Sequence, residues 1–200
     1  MIFKKTLDFL EDLLYYIHES NNEDIHVDIQ ECVFMKNNIA VIYSSRTGNT
    51  KKVAEHLAEA LDASCHSVKD TSAVPESATL CVGTWIDRGT ADAAAKKYIE
   101  SLRGRRVFIY GTLGAEPDSE HCAKCIENIR ALFDPSNEIL GAILVQGAID
   151  PMLIEMFKSM PKDNVHAFTE ENAVRYAAAA SHPDENDFAQ VIAAAKEALA

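Results

Sequence analysis

The stretch YSSRTGNTKK, residues 43–52, joins an apolar run at 39–42 to a segment with helical periodicity. A helix that begins near Asn49 would present unpaired backbone N–H groups and the positive end of its dipole at this turn. Gly48 permits a close approach of the backbone to a ligand. The turn also carries four hydroxyl side chains, those of Ser44, Ser45, Thr47 and Thr50. The stretch therefore predicts a phosphate-binding turn between a strand and a helix.

The sequence of this turn differs from other nucleotide-binding motifs. The triphosphate loop needs G-x-x-x-x-G-K-[ST] and the dinucleotide fingerprint needs G-x-G-x-x-G, and neither string occurs in the chain. A response-regulator domain would need acidic residues after its first strand and an aspartate after its third, where this chain has Tyr43-Ser44 and Gly83-Thr84. What remains is a monophosphate held by hydroxyl and backbone N–H groups.

The rest of the chain alternates strand and helix patterns. Apolar runs without polar alternation predict buried parallel strands at 39–43, 79–83, 106–111 and 139–145, and a weaker edge strand covers 65–68. Helical stripes lie between and after them, at Val53/Leu57/Leu61, Ala91/Ala95/Tyr98/Leu102, Ile126/Ile129/Phe133 and Phe188/Val191/Ile192/Ala195/Leu199. We therefore expect an α/β fold with a doubly wound, five-stranded parallel sheet, in which residues 44–50 lie where ligands bind.

Composition limits the classes of partner. The formal net charge of −12 argues against nucleic acid and favours proteins with a basic docking face. Five cysteines do not fit a secreted disulfide scaffold, and no apolar run is long enough to span a membrane. We expect a cytoplasmic protein that does not insert into membranes.

Residues 1–36 are predicted to form a segment apart from a domain at 37–200. An amphipathic helix with Phe3, Leu7, Leu10, Leu14 and Ile17 on one face is followed by an acidic linker. The segment is either an accessory element or the product of a start upstream of Met35. Within the domain, an insertion at about 151–182 is expected to carry helices at 151–159 and 170–180, with a methionine stripe that packs in the core.

Two stretches resemble the flavodoxins, and a third departs from the pattern of that family. Residues 45–50, SRTGNT, resemble the [ST]-x-T-G-N-T loop that binds the phosphate of FMN in that family. Residues 83–90 are similar to the loop whose tryptophan stacks on the flavin ring, and Trp85 is the one tryptophan in the chain. The loop at 111–116 lacks the second aromatic that flavodoxins commonly have, which leaves one ring face to Leu113 or open. The resemblance implies the strand order 2-1-3-4-5.

The resemblance also implies a site and a function. FMN would be held by Ser44, Ser45, Arg46, Thr47, Gly48, Asn49, Thr50, Thr84, Trp85, Asp87, Gly111, Thr112, Leu113 and Gly114, with the Arg46 side chain directed outward. No catalytic side chain and no metal site are predicted. The expected function is electron transfer to a reductase partner. An NAD(P)H-dependent FMN or quinone-type reductase and a flavin-free interaction domain are the alternatives.

Residues near the end of the chain resemble one subgroup of flavodoxin-domain proteins. Residues 181–187, SHPDEND, together with the insertion and the loop at 111–114, resemble a BilS-type subgroup of anaerobe flavodoxin-domain proteins. This subgroup includes the flavodoxin-like component encoded beside bilirubin reductase. Bilirubin reductase is therefore one candidate for the redox partner.

Two further features have structural interpretations. Cys122 and Cys125 continue an apolar helical stripe, so we expect them to face the sheet rather than to exchange disulfides. Asp184 is a good helix cap with Asp187 three residues on, and His182 is expected to orient the entry to this helix. The adjacent charges of Asp87 and Arg88 leave the sign of the field near a flavin ring open.

Overall fold

The computed structural model describes residues 38–161 and 168–200. The predicted N-terminal helix lies outside the described residues and stays a prediction. The described part contains six strands and six helices, which are β1 (Ile39–Tyr43), α1 (Asn49–Leu61), β2 (Ser64–Ser67), β3 (Thr79–Asp87), β4 (Thr90–Ala91), α2 (Ala93–Ser101), β5 (Arg106–Leu113), α3 (Glu120–Arg130), β6 (Glu138–Gln146), α4 (Pro151–Lys158), α5 (Glu170–Ala179) and α6 (Glu185–Leu199).

The sheet has the strand order β2-β1-β3-β5-β6, and all these neighbours are parallel. With the two-residue strand β4 set aside, this is the predicted five-stranded order 2-1-3-4-5, so the predicted α/β fold is confirmed. The strand order reverses beside β1, and the turn after β1 therefore opens at the switch point of the sheet. β4 was not predicted; it pairs antiparallel with the end of β3.

Apolar side chains cover both faces of the sheet, as buried parallel strands require. Successive residues of β1 point to opposite faces, so Val41 belongs to one core cluster and Ile42 to the other. One cluster includes Val53 and Leu57 of α1 with Val191 of α6. The other includes residues of α2 and α3, among them Ala95, Ile99, Cys125 and Ile129. The helical stripes read from the sequence are therefore the faces that cover the sheet.

β3 and β5 are longer than the sequence predicted. Trp85 of β3 still pairs with Thr112 of β5, and Leu113 pairs with Gln146 of β6. The polar and glycine residues at these strand ends look like loop residues, but pairing with β4 and β5 extends β3, and pairing with β3 and β6 extends β5. Thr84 and Thr112, expected in loops, consequently lie within the sheet.

Both helices of the insertion are confirmed as α4 and α5. The prediction that its methionines pack in the core is wrong, because Met152 is 76% exposed and Met156 is 44% exposed. None of the residues of α4 is buried. Leu153 and Phe157 of this helix line a cavity instead. Within the described ranges, the helices lack the length and apolar character that crossing a membrane would need.

Cys122 and Cys125 are buried on the sheet side of α3, as predicted. Burial raises the pKa of both thiols above the ordinary value, which lowers their thiolate fraction at neutral pH. The cap of α6 is also confirmed: Asp184 and Asp187 form a capping box, and His182 hydrogen-bonds Asp187 through its ring. These residues therefore stabilise helices.

Candidate functional site

A cavity of about 560 Å³ opens at the carboxyl ends of the strands. This volume is within the range of small-molecule and cofactor sites, about 300–1,000 Å³. Its walls come from the turn after β1, the β3–β4 hairpin, the end of β5, the segment after β6, and the insertion. The residues that line it are Ser45, Arg46, Thr47, Asn49, Thr50, Trp85, Ile86, Arg88, Gly89, Thr112, Leu113, Gly114, Ala115, His121, Gly147, Ala148, Ile149, Asp150, Leu153, Phe157 and Arg175.

The start of α1 is open toward this cavity. Its cap residue, Gly48, has φ +102°, a conformation that favours glycine, and no side chain caps the first turn. The other five described helices each begin with a side-chain cap, from Asp92, Ser119, Asp150, Thr169 and Asp184. The N–H groups of a helix start that lacks a cap attract an anion. The geometry therefore fits the predicted phosphate turn.

Two residues of the turn tie it to neighbouring elements. The hydroxyl groups of Thr50 and Thr112 are hydrogen-bonded at 2.9 Å in the buried interior. The side-chain amide of Asn49 donates to the carbonyl of Ala148 at 2.9 Å. In contrast, Thr47 is exposed and Ser45 is partly exposed at the cavity. The turn is thus fixed on its inner side, and its outer hydroxyls can contact a ligand.

Ser44 and Thr84 do not line the cavity, although both were predicted to contact the cofactor. The hydroxyl of Ser44 donates to Oδ1 of Asp92 at 2.9 Å, and the hydroxyl of Thr84 lies 3.0 Å from Oδ2 of the same carboxylate. Asp92 is 5% exposed and also caps α2. This carboxylate joins the ends of β1 and β3, and sequence reasoning missed it. The predicted helical stripe begins at Ala91, but Ala91 lies in β4 and α2 begins at Ala93, so Asp92 is the cap of this helix; an aspartate near the start of the stripe was the available signal.

Replacing Asp92 with alanine should lower the free energy of unfolding by about 3 kcal/mol. The change removes a helix cap, which contributes about 1 kcal/mol, and leaves two buried hydroxyls without their charged acceptor. Urea denaturation of Asp92→Ala measures the loss, and Ser119→Ala, which removes a cap and one hydrogen bond to the carbonyl of Glu116, is the control. Equal losses in the two variants would contradict the joining role of Asp92.

Arg46 does not point outward, contrary to the prediction. Its guanidinium lies 3.1 Å from Oδ2 of Asp150, and its Cζ is 5.7 Å from the centre of the Trp85 ring. A half-exposed ion pair contributes about 0–1 kcal/mol and a cation–π contact of this kind about 0.5–1 kcal/mol. These weak contacts hold the side chain over the predicted stacking residue, from which it can be displaced.

Three other predicted residues lie behind the cavity wall or beside it. Gly111 is packed inside the sheet, where a Cβ would come within 2.3 Å of the carbonyl oxygen of Thr84. Gly48 and Asp87 are also absent from the lining, whereas Thr112, Leu113 and Gly114 are present. The neighbour of Asp87, Arg88, takes its place in the lining.

The insertion brings an aromatic side chain to the cavity. Phe157 of α4 lines the cavity, together with Leu153 from the same helix and Arg175 from α5. Sequence reasoning missed these residues because the sequence of a helix does not show which of its faces contacts a distant loop. The apolar residues of the helix predicted at 151–159 were the available signal.

The cavity is cationic although the chain is acidic. Among the described residues, Arg46, Arg88 and Arg175 line it with one carboxylate, that of Asp150. Arg175 also lies 3.3 Å from Glu116; hydrogen bonding to its own backbone and the charge of Arg175 hold the pKa of Glu116 below its usual value. A positive recess on a chain of net charge −12 concentrates anions.

Comparisons with known proteins agree with this architecture. A family model described as "Flavodoxin domain" matches residues 40–196. The flavodoxin-like domain-containing protein BilS of Clostridioides difficile (strain CD3) is 30% identical over 169 residues, which cover 80% of this chain and 94% of that protein. BilS of Clostridium symbiosum (strain WAL-14163) is 27% identical over 173 residues, covering 75% of this chain and 90% of that protein. A solved flavodoxin from the domain Archaea is 15% identical, covers 81% of this chain and 99% of its own, and superposes with a TM-score of 0.43.

Proposed function

Because this chain belongs to the flavodoxin-domain family, we propose that its cavity binds FMN and that the protein carries electrons to a reductase partner. The observation that carries the proposal is the start of α1, which lacks a side-chain cap and opens into the cavity. When bound, FMN supplies the one- and two-electron chemistry, and the protein supplies binding, orientation and electrostatics.

The residues of this chain divide into two binding roles. Backbone N–H groups of the first turn of α1, with the hydroxyls of Ser45 and Thr47, hold the phosphate. Trp85 stacks against the ring once Arg46 moves aside, and the β5 end at 112–114 contacts the ring edge. Asp92 positions both loops from behind through Ser44 and Thr84.

The redox partner is proposed to be a protein with a basic docking face. The net charge of −12 favours association with such a surface through long-range attraction. The similarity to BilS proteins makes bilirubin reductase one candidate for this partner.

A stand-alone reductase is the second candidate function. Leu153 and Phe157 form an apolar wall in the same cavity as Trp85, which offers a second planar group a surface on which to pack. Such an enzyme would accept hydride from a nicotinamide and pass it to a quinone or similar molecule.

The visible spectrum of the purified full chain tests these functions. We expect a yellow protein, or a colourless one that takes up FMN stoichiometrically and quenches its fluorescence. Rapid mixing of the loaded protein with NADH or NADPH then separates the candidates, because fast bleaching identifies the reductase and inertness identifies the carrier. A protein that takes up no FMN would be the flavin-free interaction domain, and the proposal would be wrong.

A further inference from the structure

Arg88 lies in a two-residue hairpin turn that suits other residues better. β3 and β4 pair Asp87 with Thr90, so that Arg88 and Gly89 form the turn between them. Both have positive φ, 51° and 78°. Hairpins with two left-handed residues favour Asn-Gly, and an arginine there is strained. A strained residue in a cavity wall points to a function for its side chain.

The turn is held in place by a neighbouring helix. The side-chain amide of Asn128 in α3 donates to the carbonyl of Gly89 at 2.8 Å. The pairing of β3 with β4 holds the two ends of the turn, so both strands and α3 fix the backbone at Arg88. The side chain therefore leaves a rigid base at the cavity.

Arg88 differs from the other two arginines of the cavity in its lack of a counter-ion. Arg46 pairs with Asp150, and Arg175 pairs with Glu116. Within residues 38–161 and 168–200, no carboxylate lies within ion-pair distance of Arg88. A guanidinium offers a planar pair of donors that matches a carboxylate, so this side chain suits an anionic ligand group.

FMN does not account for this charge. Its phosphate is proposed to lie at the start of α1, and the oxidised flavin ring carries no charge. The lining near the hairpin and from α4 is apolar, with Ile86, Leu153 and Phe157. The cavity therefore combines an unpaired cation with apolar walls beside the proposed cofactor site.

We propose that Arg88 is the anion-recognising residue of a second subsite in this cavity. The subsite takes a small molecule with an aromatic, apolar body and a carboxylate group, bound together with FMN. The aromatic body packs against the wall of α4, and the carboxylate accepts two hydrogen bonds from Arg88. The inference rests on the proposed function, since FMN must occupy the remainder of the cavity.

The test compares two probes of the same shape, 2-naphthoate and the uncharged 2-naphthamide. Each is titrated into the FMN-loaded full chain, and amide NMR shifts at residues 88–89 report binding. We expect wild-type protein to bind naphthoate about tenfold more tightly than naphthamide, and Arg88→Asn to reduce this ratio to about one. Arg88→Lys should keep part of the preference, and Arg130→Asn, at an exposed arginine outside the cavity, should keep all of it.

A second measurement separates binding from misfolding. Asparagine tolerates positive φ, so Arg88→Asn should raise the melting temperature by about 2–4 °C while it abolishes the preference for naphthoate. Equal binding of the two probes by wild-type protein would overturn the inference. So would a fall in FMN affinity with an unchanged probe ratio, because Arg88 would then belong to the cofactor. Failure of FMN to bind at all would instead contradict the proposed function.

Discussion

Thr47→Glu is expected to weaken FMN binding at least 100-fold. Thr47 is exposed at the turn before α1, where the cap residue is glycine and no side chain caps the first turn, although the hydroxyl of Ser45 accepts from the N–H of Gly48. A carboxylate there would occupy the anion site itself and repel the phosphate. Two unit charges about 4 Å apart interact by about 4 kcal/mol at an effective dielectric constant near 20, and about 1.4 kcal/mol corresponds to a tenfold change in affinity.

The measurement is a fluorescence titration of the purified variant with FMN. Ser72→Glu is the matched control, because it adds the same charge in an exposed loop between β2 and β3 and should leave the affinity within about twofold. Thr47→Ser should also bind normally, since it keeps the hydroxyl. If Thr47→Glu bound FMN as tightly as Ser72→Glu, the phosphate would have to lie elsewhere.

Gly83→Ala is expected to lower the free energy of unfolding by about 3 kcal/mol or more. A Cβ at this position would lie 2.2 Å from Cζ and 2.4 Å from Cε2 of the Tyr110 ring. The ring is completely buried, and its hydroxyl donates to the carbonyl of Ile42 at 3.0 Å. Gly83 is itself paired with strands on both sides, so neither group can move away. Overpacking of this severity lies at the upper end of its usual range of about 1–3 kcal/mol.

Thermal and urea denaturation would measure this loss, and about 6–12 °C in melting temperature is the expected change. Gly141→Ala in β6 is the control, because its Cβ would approach Ala198 and Phe108 no closer than 3.3 Å. In a double-mutant cycle, Tyr110→Leu should recover part of the loss, because leucine lacks the far ring atoms. Additive losses in that cycle would show that the ring does not cause the effect.

The fold was predictable because its signals are local and repeated. Strand runs such as 39–43 are apolar on both faces, and this pattern is typical of a parallel sheet covered by helices on both sides. The turn at 45–50 lies where the strand order reverses, so its place in the cavity followed from topology. The predicted strands β3 and β5 end too early, because pairing with distant strands, rather than residue type, extends them.

The remainder of the site depends on contacts between distant segments. Asp92 reaches hydroxyls of two strand ends, and Phe157 enters the cavity from a helix of the insertion. Spacing along the chain carries no information on such contacts. The same holds for Arg46, whose inward position requires Asp150, more than 100 residues away in the sequence.

The helix start at Gly48 has a consequence for how much of this protein a cell maintains. On the proposed function, a ligand that occupies only the native state adds to the unfolding free energy by mass action, about 2.7 kcal/mol when its free concentration is 100 times the dissociation constant. Because Gly48 provides no side-chain cap, this part of the unfolding free energy would come from FMN, which is made from riboflavin, rather than from the chain. Riboflavin starvation would then lower the amount of the protein through proteolysis, and the protein that remains would lack the colour of the flavin.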